Sequence, residues 1–134
     1  MSDTTIGLPP YARGLGIEID HIEHGMPVLG VEFSDRIQGR PNFLHGGALS
    51  GLMEMAAIAA LQAELDRRGD AVRLKPINIA VEFMRGGTEQ RTYAMGTVTR
   101  AGRRVALVNA ECWQDDRTKP IALAQMKVLL SPAE

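Results

Sequence analysis

His45-Gly46-Gly47, followed seven residues later by Glu54, is the part of this chain whose residue types and spacing could do chemistry. Two successive glycines clear the backbone of side chains, so a ligand can approach the peptide N–H groups closely. If a helix starts there, its first N–H groups lack intrahelical partners and point outward along the axis. With the helix dipole, they favour an oxygen on which negative charge develops. That is the chemistry of an oxyanion hole, in which fixed N–H donors stabilise a carbonyl under attack. A Gly-Gly pair at a helix start also serves plain close packing of a loop, so the pair alone does not decide.

Glu54 sharpens the case. It is the only acidic or basic residue in the 23 residues between Arg40 and Glu64, a stretch otherwise filled with Ala, Leu, Met and Gly. Such a stretch should be helical and largely buried, and a carboxylate there must be paired, neutralised or used. A salt bridge to an arginine across an interface is one answer. The other is catalysis. Seven residues at about 1.5 Å each put Glu54 roughly 10 Å along the axis from Gly47. A carbonyl held at the helix start is then beyond the ~3 Å attack distance of the same chain's Glu54. If both groups act on one substrate, they come from two copies of the chain. Ser50, Ala57, Ile58 and Leu61 share the stripe of Glu54 and are small or apolar, which calls for a partner surface.

The elements that must hold these groups follow from the pattern around them. Residues 15–23 and 27–34 read as strands separated by a turn at Gly25-Met26-Pro27, and 35–45 as a loop. A helix is expected from about 47 to 67, with Gly69 just past its end. Strands follow. Ile77, Ile79, Val81 and Phe83 alternate along one, Val105, Leu107, Asn109, Glu111 and Trp113 along another, and Ile121, Leu123, Gln125, Lys127 and Leu129 along a third. Arg85-Gly86-Gly87, Ala101-Gly102 and Asp115-Asp116-Arg117 supply the turns. The class is α+β, an antiparallel sheet packed around one apolar helix. Ala80, Ala94, Ala106, Ala110, Ala122 and Ala124 lie opposite the larger strand residues and leave room for the helix. Residues 1–14 are expected to be a loosely ordered lead-in and 15–134 a single domain.

Bulk properties exclude several classes. A length of 134 residues, 45% hydrophobic and 23% charged, is that of one ordinary globular domain. A net charge of −1 gives no reason to expect nucleic acid or an anionic membrane. Cys112 is the only cysteine, so no internal disulfide or multi-cysteine metal site exists, and the three histidines have no metal-ligand spacing. The N-terminus lacks a basic stretch leading into an apolar one, and 46–61 is too short for a membrane span, so a cytoplasmic location is expected.

The residues together resemble the hotdog-fold acyl-CoA thioesterases, specifically the PaaI-like (phenylacetyl-CoA thioesterase-type) branch. The motif is His-Gly-Gly and a helix acid seven positions after the second glycine, here His45-Gly46-Gly47 and Glu54. Asn78 to Arg85 is similar to the strand that follows the helix in that family. Thr99 to Glu111 is similar to its hairpin, and Ile121 to Val128 to its last strand. The resemblance covers about residues 15–130. It implies a hotdog fold, a long helix wrapped by a five- to six-stranded antiparallel sheet, with homodimers joined edge to edge and often paired into tetramers. It implies hydrolysis of an acyl or aryl-acyl CoA thioester to free acid and CoA, with CoA entering only as part of the substrate and no other cofactor. Gly47, helped by Gly46, would polarise the carbonyl, and Glu54 of the neighbouring subunit would act as nucleophile or as general base for water. His45 would orient the loop or lie near the thioester.

The departures concern accessory groups. Relatives place Asn or Gln a few residues before the histidine, and Asn42 is near that place at a different spacing. A strand Ser or Thr that positions water in some members has only Asn78 as a counterpart, and Arg85-Gly86-Gly87 stands where Arg-Pro is common. Arg85 and Arg103 are candidate contacts for the phosphates of CoA, which suit bidentate guanidinium binding. Two other functions share the fold. A hydroxyacyl-thioester dehydratase needs a histidine opposite the helix acid. A non-catalytic module would bind an acyl-CoA without turnover.

Overall fold

The computed structural model describes residues 7–132. Its centre is α2, Gly46–Arg68, which carries Ala, Leu and Met on nearly all sides and ends where Gly69 turns left-handed at φ 78°. Gly69 can do so because it lacks a Cβ, and its N–H closes the last turn on the carbonyls of Leu65 and Asp66. By length and composition α2 could cross a membrane, but most of it is wrapped by the sheet. Leu49, Leu52, Met53, Leu61 and Leu65 are buried. Each such side chain contributes about 1.5–3 kcal/mol relative to exposure.

The elements run α1 (Pro10–Leu15), β1 (Glu18–Glu23), β2 (Met26–Val31), a 3₁₀ turn (Asp35–Ile37), α2, β3 (Val72–Phe83), β4 (Thr92–Ala101), β5 (Val105–Trp113) and β6 (Ala122–Pro132). The six strands form one sheet in the order β1-β2-β4-β5-β6-β3, with antiparallel neighbours throughout. This is the expected succession of two strands, helix and four strands, and the hotdog architecture. One difference lies at the start. Within the lead-in expected over 1–14, residues 1–6 lie outside the described residues, whereas Pro10–Leu15 is helical with Ala12 completely buried. Gly16, at φ 84°, ends α1 and delays β1 to Glu18.

Helix and sheet meet at backbone distance. A Cβ on Gly96 of β4 would lie 2.7 Å from the Ala56 carbonyl oxygen, 2.8 Å from Ala57 Cα and 2.9 Å from Ala60 Cβ. Ala94, Ala106, Ala110, Ala122 and Ala124 are buried on the same face, as their small size implies. Ala80 is the exception and is exposed. A bulge between Pro76 and Asn78 shifts the β3–β6 register, so that Pro76 faces Val128 while Asn78 faces the exposed Lys127. Because side chains alternate with period two, one extra residue turns Ala80 outward and Ile79 and Val81 inward.

The far edge of the sheet is tied by charge. Arg91 crosses Gly30 and pairs with Asp20 at 2.8 Å, Glu32 at 2.9 Å and Glu18 at 3.1 Å. His21 bridges Asp20 at 2.7 Å and Glu23 at 2.9 Å. Hydrogen bonds to Glu23 and then Asp20 raise the His21 pKa above its ordinary 6.5. A raised folded-state value means that the stabilisation is full below the unfolded pKa and lost as pH rises through the folded one. His21→Gln should therefore be less stable than the wild type near pH ~6, with the gap closing by pH ~9 in urea melts. Gly96→Ala should cost about 1–3 kcal/mol in the same melts, because its methyl group meets helix backbone that cannot move aside.

Candidate active site

The loop before α2 is built to present the helix start. Gly39 passes so close beneath His45 that a Cβ on it would lie 3.1 Å from His45 Cα. The His45 N–H donates to Ile37 O (2.8 Å) and Gly39 N–H to Phe43 O (2.9 Å). Gln38 braces the turn, accepting from Asn42 N–H at 2.8 Å. Gly86 lies under the Phe43 ring and Gly87 under Leu44, at would-be Cβ distances of 3.0 and 2.7 Å. Arg85-Gly86-Gly87 is thus glycine-rich because two loop side chains occupy the space.

His45 is the N-cap of α2. Its Nδ1 accepts from Gly47 N–H at 2.8 Å. With Nδ1 taken up by this bond, the ring is placed to hold the loop against the helix start. Ala48 and Leu49 N–H donate to the His45 carbonyl. Gly46 N–H has no hydrogen-bond partner among the described residues. The sequence pointed to Gly47, helped by Gly46, as the carbonyl donor; in this structure Gly47 N–H donates to the His45 cap and the open N–H is that of Gly46. The Phe83 ring stands beside it, 3.3 Å from where a Gly46 Cβ would be.

Glu54 lies half-buried on α2, with Ser50 and Ile58 half-buried beside it, while Ala57 and Leu61 of the same stripe are buried. Among the described residues it makes no ion pair and no side-chain hydrogen bond. Ser50 donates to the Gly46 carbonyl at 3.0 Å. From Gly46 to Glu54 is about 12 Å along the axis, so one chain does not bring donor and carboxylate onto one carbonyl. A cavity of about 480 Å³ opens instead on the outer sheet face, between Glu82, Glu111, Asn109 and Gln125.

The remaining sequence candidates scatter. Asn42, at φ 72°, is exposed in the loop near the helix start. Arg85 lies at the same end, its N–H donating to Ile121 O. Arg103 is at the other end, beside Arg68, Gly69 and Asp70, about 33 Å away by the length of α2. Asn78 follows the bulge on the outer face. His21 and His24 belong to β1 and its turn. Sequence reasoning missed Phe83 over Gly46, Gln38 in the loop, and Tyr11, whose hydroxyl rests on Gly51 of α2. Gly51 inside a helix signalled a close approach but not by what.

A hydrogen-bonded glycine loop thus opens a sheet-wrapped helix of hotdog type, with an unpaired carboxylate two turns on. The Thioesterase superfamily profile matches residues 41–121, more than half of the sequence, and the chain belongs to that family. It is 26% identical over 120 residues to the Medium/long-chain acyl-CoA thioesterase YigI of Salmonella typhimurium, spanning 81% of this chain and 77% of that protein. A solved structure from Chromobacterium violaceum is 32% identical, with a TM-score of 0.73 over 99% of this chain and 90% of its own. The phenylacetic acid degradation protein PaaI of Thermus thermophilus, solved as a mutant, shares the fold at 22% identity, with a TM-score of 0.72 over 90% of this chain and 98% of its own.

The cap assigns His45 a structural role that can be measured apart from activity. His45→Ala should lose about 1 kcal/mol in urea melts, and His45→Asn should recover most of it, because Asn is among the best N-cap residues.

Proposed function

We propose that the protein hydrolyses an acyl-CoA thioester at a site shared by two copies of the chain. The observation that carries this reading is the separation of an open Gly46 N–H from an unpaired Glu54 along one helix. A two-fold axis perpendicular to two such helices, passing midway between Gly46 and Glu54, would set each Gly46 against the other copy's Glu54. The family and its acyl-CoA thioesterase relatives support the substrate class.

Gly46 N–H, with the positive end of the α2 dipole behind it, holds the thioester oxygen as it gains charge. Glu54 of the neighbouring copy takes a proton from water as the water oxygen bonds to the carbonyl carbon. The carbon–sulfur bond then breaks, the acyl group leaves as the acid, and the proton passes to the departing CoA thiolate. Arg85, exposed at the same end, suits a CoA phosphate. Arg103 can reach that substrate only from another copy. The long β3 edge, unpaired on its outer side, offers edge-to-edge pairing, and Val105, Leu107 and Leu129 offer apolar surface for stacking dimers into tetramers. Burial pushes the Cys112 thiol up to about 12, which keeps it protonated and out of the chemistry.

Thiol release from a panel of acyl-CoAs tests the chemistry. Glu54→Gln should lower kcat by ~10²-fold or more. Gly46→Pro deletes the donor at a position where proline suits a helix start, and should lower kcat by ~10²–10³-fold with the fold retained. Refolded together, the two inactive variants should recover up to about a quarter of wild-type activity, because half of the dimers carry one intact site. No recovery from two folded variants would rule out the shared site.

A further inference from the structure

Tyr11, on the short helix α1, lies across α2 at Gly51. Its hydroxyl sits so close to Gly51 that a Cβ there would overlap it, and ring atoms Cε2 and Cζ would be 3.2 Å from that Cβ. Gly51 is buried under this contact, while Tyr11 itself is 53% exposed. Among the described residues the hydroxyl has no hydrogen-bond partner. The phenol therefore lies at backbone distance from α2 with its polar atom open.

Its position relative to Glu54 gives the placement a meaning. Gly51 is three residues before Glu54, about 4.5 Å along the axis and about 60° around it. Helical neighbours at this spacing have Cβ atoms about 5–6 Å apart, and the Tyr11 hydroxyl stands where the residue-51 side chain would begin. Long side chains on a helix lean toward its N-terminus, so the Glu54 carboxylate overhangs the turn that holds Gly51. Helix geometry thus puts the hydroxyl and the carboxylate on neighbouring positions of one helix face, and no hydrogen bond joins them among the described residues.

We propose that Tyr11 positions the attacking water: its hydroxyl and the Glu54 carboxylate of the same chain hold one water molecule between them, aimed at the thioester held by the other copy's Gly46. The inference rests on the thioesterase reading above. The water donates one hydrogen to Glu54, to which it yields that proton on attack, and a second hydrogen bond to Tyr11 fixes its lone pair toward the carbonyl carbon. No strand Ser or Thr stands in the corresponding place, and Asn78 faces the other side of the sheet. Gly51 is a glycine because any side chain would displace the hydroxyl.

Steady-state kinetics on a medium-chain acyl-CoA test this with three variants. Tyr11→Phe keeps the ring and should lower kcat by ~10-fold or more with KM within about twofold, since orientation of one nucleophile is lost and substrate binding is not. Gly51→Ala should do the same, and the double variant should be no worse than either alone, because both act through one hydroxyl. Full kcat in Tyr11→Phe, with Glu54→Gln inactive, would overturn the role of Tyr11 and leave the thioesterase reading intact. Unchanged activity in Glu54→Gln would instead overturn the reading itself. Additive losses in the double variant would reduce the contact to packing and also count against the proposal.

Discussion

Everything in this fold depends on how closely α2 can lie on the sheet. At Gly96 the strand passes within van der Waals reach of the Ala56 carbonyl and Ala57 Cα, and a single methyl group would not fit. This contact is what lets six strands wrap one helix with no second layer. It also fixes the height and tilt of the helix, and hence where its first N–H groups emerge from the loop at His45. A larger spacer would still bury apolar surface but would move the helix start relative to Phe83 and Gly87, which frame it.

The helix is asked to be two things. As the core element it is apolar nearly all round, like a helix with no surface at all. As the carrier of chemistry it leaves one narrow stripe, Ser50, Glu54 and Ile58, incompletely covered by its own sheet. A carboxylate there has no ion-pair or hydrogen-bond partner among the described residues. That is an unsettled arrangement for a monomer and an ordinary one for a surface completed by a second copy.

The architecture was legible because it is written in periodicity and glycine. The Ala-rich helix, the alternating strands and the turn residues each announced themselves locally. The Ala80 error shows the limit. A bulge at Ile77 inverts the strand's faces, and nothing in Lys75-Pro76-Ile77-Asn78 declares where the extra residue is absorbed until β6 supplies the register. The site was half legible for a similar reason. His45, Gly46, Gly47 and Glu54 stand out by type and spacing, yet which glycine N–H is free depends on a ring rotamer that caps the other. Tyr11 was invisible, since its contact is with a helix 40 residues away and only Gly51 carries its trace.

Strand β3 has a consequence of its own. Pro76 has no N–H to share, and the bulge beside it throws the strand out of phase. A chain adding itself to this border finds an unbroken run only from Asn78 to Phe83, about six residues, with the other half mismatched. The border thus works like a keyed joint: it admits a short strand in one alignment and refuses the long, sliding pairings from which fibrous aggregates grow.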